Sequence, residues 1–213
     1  LALLHRRSLE APLPGAGRSA AGLAAAGHAM AGHAVDRCDA YGWWRPNLIG
    51  TSPQANGWQE QWAAFWGTER LGPQLRWLAE RGQPLVGAAE LLERLPEWLA
   101  GHRPDPCLVH GDLWSGNAAL GPGGQGVIFD PAVYRGDREV DLAMARLFGG
   151  FPEAFFQGYE RCWPLPPGHR QRQELYNLYH LLNHANLFGG SYGARAQASV
   201  RTLLQAPASA WHT

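Results

Sequence analysis

His110-Gly111-Asp112-Leu113-Trp114-Ser115-Gly116-Asn117 decides how the rest of the chain is read. It follows a short apolar run, Cys107-Leu108-Val109, that comes after Pro104 and Pro106. A second apolar run, Val127-Ile128-Phe129, ends on Asp130 and follows the turn Gly121-Pro122-Gly123-Gly124. Between them, Asn117-Ala118-Ala119-Leu120 has the length of a third short strand. The pattern predicts a small β element wrapped around tight turns, with Asn117 and Asp130 brought to one side of a single cleft.

The spacing H-x-D-x-x-x-x-N, followed by an apolar run closing on Asp, is the phosphoryl-transfer arrangement of the kinase-like fold. Each residue type has a chemical reason. Asp112 is the carboxylate that accepts, or at least orients, the proton of an acceptor hydroxyl. Asn117 offers a neutral carbonyl oxygen and Asp130 a charged one, both hard ligands suited to Mg²⁺. Taken singly, each of these residues is an ordinary turn residue. The combined spacing carries the reading.

Outward from this centre the period is helical. Trp58, Trp62, Phe65 and Trp66 share one helix face, and Leu71, Leu75 and Leu78 continue it. Residues 85–99, 138–148, 151–161, 169–188 and 194–204 are further helical segments. The tryptophans read as core packing. Tyr41 to Gln54, rich in aromatics and turn residues, reads as an ordered loop with a short hairpin.

Charge and composition narrow the function. The chain has 213 residues with 18 basic and 18 acidic side chains, and all 18 basic residues are arginine. The absence of lysine excludes a Schiff-base lysine, a Walker A lysine and a lysine on nucleotide phosphates. The neutral balance argues against nucleic-acid binding. No apolar stretch approaches the ~18 residues of a membrane span, and Arg6-Arg7 is not followed by the apolar segment of a signal peptide. Cys38, Cys107 and Cys162 form no C-x-x-C pair, which fits a reduced, cytoplasmic setting. His28 and His33 lack partners at metal-ligand spacing.

The stretch Leu108 to Asn117 resembles the catalytic loop of the fructosamine (ketosamine 3-) kinases. Val127 to Ala132, Gly136 to Met144, Leu147 to Phe151 and Tyr176 to His184 resemble the same family. Upstream, so do Asn47-Leu48-Ile49-Gly50 and Pro53 to Trp58. Trp114 after His-Gly-Asp, and Asp130-Pro131 in place of Asp-Phe-Gly, set this family apart from protein kinases and from its aminoglycoside and choline phosphotransferase relatives. The resemblance implies an α+β, mostly helical, protein-kinase-like large lobe. It implies transfer of the ATP γ-phosphoryl group to the sugar 3-hydroxyl of a ketosamine, on a glycated amine or glycated protein. The 3-phosphate then sheds the sugar, a deglycation repair. By motif position Asp112 is the catalytic base and Asn117 and Asp130 hold Mg²⁺. Asp141 and His110 brace the loop. Trp114 packs on the sugar or on the loop, and His184 serves a pocket or packing role.

Residues 41–213 are thus expected to form the C-terminal catalytic lobe, and residues 1–40 a divergent Ala/Gly-rich segment. Leu1 to Arg7 resembles the helix that follows the small N-terminal lobe in this family, and 19–35 could form a weak helix after a loop marked by Pro12, Gly15 and Gly17. With Leu1 in place of Met and no lysine, the small lobe is expected to be absent from these residues and the isolated chain inactive. The alternatives are a small-molecule kinase of the aminoglycoside or choline type, or a non-catalytic binding module.

Overall fold

The computed structural model describes residues 1–10, 39–207 and Trp211. The expected helix at 19–35, its preceding loop, His28, His33 and Cys38 lie outside the described residues.

The lobe is organised around one long helix. Helix α7 (His169–Phe188) buries Leu175, Tyr176, Leu178, Tyr179, Leu181 and Leu182, more than a single stripe, as a central helix should. Around it pack α3 (Gly72–Glu80), α5 (Glu139–Leu147) and α8 (Ser191–Gln205). The tryptophan-rich face behaves as its period predicts only from Trp62 onward: Trp58, expected on the same face, lies before the helix starts and is half-buried. Trp62 and Phe65 of α2 (Trp62–Phe65), then Trp66 and Leu71 of a π-helical segment (Trp66–Leu71), are all buried. Leu75 and Leu78 of α3 continue that surface. Helix α4 (Ala88–Trp98) turns Leu91, Leu95 and Trp98 inward. Each such side chain removed from water stabilises the fold by about 1.5–3 kcal/mol. Helices α1 (Ala2–Ser8) and α6 (Glu153–Cys162) form a second, smaller apolar cluster through Ala2, Phe156 and Tyr159.

The strands are three residues long and pair in twos. β1 (Asn47–Ile49) and β2 (Ser52–Gln54) form the expected hairpin. β4 (Ala118–Leu120) and β5 (Gly126–Ile128) form a second, around the glycine-rich turn. β3 (Cys107–Val109) pairs instead with β6 (Tyr134–Gly136). Sequence pattern alone does not reveal β6, because its centre is Arg135, a residue that reads as exposed. Arg135 is buried, and its guanidinium donates to the carbonyls of Pro106 (2.8 Å) and Ser8 (2.9 Å).

Two features place the site. The Ser8 hydroxyl accepts the backbone N–H of Leu108 at 2.8 Å, which fastens α1 beneath β3. The β1–β2 hairpin is tied to the segment after Asp130: Asn47 Nδ2 donates to the Val133 carbonyl (2.8 Å) and Gln54 Nε2 to the Ala132 carbonyl (3.0 Å). Among the described residues no helix is long and apolar enough to cross a membrane.

Candidate active site

The His-Gly-Asp turn leaves β3 through Gly111, whose φ is 79°. Any Cβ there would also run into the Ala132 carbonyl, so both conformation and space demand glycine. The turn is held from beneath by Asp141, on the first turn of α5. Its carboxylate accepts the backbone N–H groups of His110 and Gly111, each at 2.8 Å, and Nε2 of His5 at 3.1 Å. Burial alone would raise the Asp141 carboxyl. His5 and the two N–H groups outweigh it and hold the group below the usual carboxylate range. His5 Nδ1 in turn meets the Tyr159 hydroxyl at 2.8 Å. His5 was given no role by its sequence context. Its signal, a lone histidine inside a leucine-rich helix, becomes informative only once α1 is seen against α5.

His110 links the loop to the second strand pair. Nδ1 accepts the Asp112 N–H (3.3 Å), and the Nε2–H that this tautomer requires donates to the Phe129 carbonyl (2.9 Å). The Phe129 N–H donates to the Asn117 carbonyl at 3.1 Å. The two ends of the β4–β5 hairpin are thereby clamped together, which brings Asp112, Asn117 and Asp130 to one place.

The three differ in how their polar atoms are used. Asn117 Nδ2 donates to the Asp112 carbonyl (3.0 Å) and reaches the Asp112 carboxylate (3.4 Å) and the Asp130 carbonyl (3.5 Å). Its Oδ1 has no protein donor among the described residues. The Asp130 carboxylate likewise has none. Asp130 is also the one non-glycine among the described residues with a positive φ, 55°, and it precedes Pro131, which disfavours helical conformations on either hand. Such a backbone costs on the order of 1–3 kcal/mol and persists where surrounding bonds over-determine it, here those of Asn117 and His110. Burial pushes the Asp112 carboxyl up to about 6. His110 and Asn117 pull it down, and the negative charges of Asp130 and Asp141 push it further up.

Asp112 and Asp130 line a cleft of about 420 Å³ together with Arg45, Asn47, Leu48 and Ala132. On the hairpin side of this cleft, Asn47 and Leu48 belong to a stretch that the family resemblance includes, whereas Arg45 carries no motif signal. It lies far from the loop in sequence and has no spacing pattern of its own. Trp114 and His184 do not line the cleft. The Trp114 ring folds back over Gly116, where any Cβ would collide with it, and remains 41% exposed. His184 is half-buried. Its Nδ1 meets the His180 carbonyl at 2.8 Å, and its ring sits among Phe148, Phe188 and Tyr192 with centroids 4.9–5.4 Å away. Gly150, two residues past Phe148, abuts the Ser115 side chain of the loop.

A second acidic group lies behind the site. His102 Nε2 (2.7 Å) and the Tyr176 hydroxyl (2.7 Å) both reach Asp137 Oδ2, and Arg172 grips Glu139 through two bonds of 2.8 and 2.9 Å. His102, Asp137 and Glu139 have ligand atoms within 4.8 Å of one another. Those atoms already have protein partners.

The model of the fructosamine kinase family matches residues 15–206. A probable ketoamine kinase of Synechocystis is 50% identical over 165 residues, covering 78% of this chain and 56% of that protein. The chloroplastic protein-ribulosamine 3-kinase of rice, Oryza sativa, is 39% identical over 168 residues, 78% of this chain and 49% of the rice protein. The crystal structure of a candidate fructosamine-3-kinase from Haemophilus somnus superposes with a TM-score of 0.74 at 33% identity, over 78% of this chain and 57% of that one. The chain therefore spans about half the length of the curated relatives it matches.

Proposed function

Since this chain belongs to the fructosamine kinase family, we propose that the protein carrying it transfers the γ-phosphoryl group of ATP to the sugar 3-hydroxyl of a ketosamine. The acceptor class is the sugar adduct of an amine or of a protein lysine. Loss of the sugar from the unstable 3-phosphate makes the activity a deglycation, and we place it in the cytoplasm.

One observation carries this reading: Asp112 and Asp130 line one cleft, with Asn117 bonded to Asp112 beside it and the Asp130 carboxylate without a protein donor among the described residues. Burial pushes the Asp112 carboxyl up to about 6. A base with a value near neutrality is still ionised at neutral pH yet holds a proton well enough to take one from a hydroxyl. The backbone of Asp112 is fixed by Asn117 Nδ2 and by His110, so its carboxylate meets the acceptor without reorganising.

The residues present suit Mg²⁺. Asn117 Oδ1 and the Asp130 carboxylate are hard oxygens without protein donors among the described residues, and the Asp130 backbone is held at a costly positive φ. We assign them as the cation's ligands. Bound there, the cation would neutralise phosphate charge. Asp141, His5 and His110 act through the loop as positioning residues. Trp114 lies on the loop and His184 outside the cleft, and we assign both to the amine-bearing part of the acceptor.

Nucleotide phosphates also need basic partners, and no lysine occurs in the 213 residues. We therefore expect these residues by themselves to turn over slowly or not at all. The test is ATP-dependent phosphorylation of a synthetic fructosamine by the protein at its natural length. Incorporation of phosphate at the sugar 3-position, lost in Asp112→Asn, is the expected result. Phosphorylation of an aminoglycoside or choline in preference to the fructosamine would overturn the acceptor assignment.

A further inference from the structure

The cleft that holds Asp112 and Asp130 has a cationic side as well. Arg45 lines it, on the segment leading into β1. Its main chain is anchored: Asn56 Nδ2 donates to the Arg45 carbonyl (3.2 Å) and to Asn47 Oδ1 (2.9 Å), and Asn56 Oδ1 accepts from the buried Arg70 (2.7 Å). Asn47 and Gln54 then tie the same segment to Ala132 and Val133, just past Asp130. The arginine backbone and the aspartate backbone are thus parts of one bonded unit.

The side chain itself is steered and uncommitted. The Trp44 indole lies under the Arg45 guanidinium, 4.4 Å from its centroid, and restricts where the fork can point. Among the described residues no carboxylate lies within 4.0 Å of it, and its N–H groups have no acceptor. An arginine lining a cleft with two carboxylates, its guanidinium stacked on Trp44 and paired with neither acid, suits an occupant that satisfies both signs. A phosphoryl group bridged to the carboxylates by a divalent cation does so, and the planar fork matches phosphate oxygens.

Building on the phosphotransfer reading, we infer that Arg45 binds the phosphoryl group under transfer, on the side of the cleft facing Asp112 and Asp130. In a chain without lysine it would be the charge that follows this group from donor to acceptor. The charge spread over phosphoryl oxygens in the transition state is what such an arginine would stabilise.

The inference is tested by calorimetric titration of Mg²⁺ with inorganic tripolyphosphate into the protein at its natural length. Arg45→Gln is expected to weaken binding at least tenfold. Arg45→Lys is expected to lose less, as a point charge without the fork. Melting temperatures of both Arg45 variants should stay within about 1 °C of wild type, since the side chain touches only an exposed indole. Unchanged binding by Arg45→Gln overturns the inference. So does weakening that tracks a fall in melting temperature, or absent binding by the wild type. A fructosamine assay run alongside separates the two claims. If tripolyphosphate binding depends on Arg45 but no ketosamine is phosphorylated, the acceptor reading fails and the role of Arg45 stands.

Discussion

Asp137 is buried and Asp112 half-buried at the edge of its cleft, and their carboxyls move in opposite directions. For Asp112 burial dominates, and its value climbs to about 6. For Asp137 burial is also the largest single effect, but His102, the Glu139 N–H and the Tyr176 hydroxyl outweigh it and hold the group below the usual range. The difference lies in the donors supplied. Around Asp137 the protein provides enough of them to stabilise the charge, and the group is part of the architecture. Around Asp112 it supplies only the long Asn117 contact and the pull of His110, and adds negative neighbours, leaving a carboxylate whose further stabilisation waits on something that enters the cleft. A satisfied buried acid holds a fold together, whereas an unsatisfied one is available for chemistry.

That contrast can be broken in three ways. The largest effect concerns Asp112. Asp112→Asn should cut turnover of a fructosamine by about 10²–10⁴-fold, the range for loss of a positioned base, with the fold intact. Retained turnover would make Asp112 a second structural acid. Next comes Asp137. Asp137→Ala leaves His102 and Tyr176 facing an empty position and should cost about 3 kcal/mol. In a domain of this size that lowers the melting temperature by roughly 6–12 °C. A variant that melts like wild type yet is inactive would move Asp137 into the reaction site. The smallest effect is in pH. The folded value of Asp112 lies above its unfolded value of 3.8. Its proton therefore stabilises the fold in acid, and the benefit disappears as pH rises through about 6. Asp112→Asn mimics the protonated form at every pH. Without divalent cations it should be more stable than wild type above pH 6, by about 1–2 kcal/mol after allowance for screening, and match it near pH 4. Equal melting at pH 7 would mean the carboxylate is better solvated than its surroundings suggest.

Much of this architecture can be read from local pattern. The helix faces of Trp62, Phe65 and Trp66, and of Leu71, Leu75 and Leu78, follow from their spacing, because burial against a single core imposes the helical period. The Asp112, Asn117 and Asp130 constellation is legible because two short strands and a tight turn fix the distances between them. Strand β6 was not legible, since a buried arginine breaks the alternation that marks strands. His5 and Arg45 were not legible either. Each works only through a partner far along the chain, and no short-range period records that. Asp141 could be placed by resemblance, but the residue that completes its bonding could not.

The His5–Asp141 contact joins positions 136 residues apart, and His5–Tyr159 spans 154. Contacts of this length close late, because the entropy of bringing distant segments together is met before they contribute any stability. During synthesis the His-Gly-Asp turn emerges from the ribosome well before the carboxylate that holds it, so a nascent chain displays the motif without the rigid turn. The turn is therefore held only once α5 has been made and packed beneath it. A stalled or truncated product that retains the whole signature up to Asp130 would still lack the shape that gives it chemical meaning.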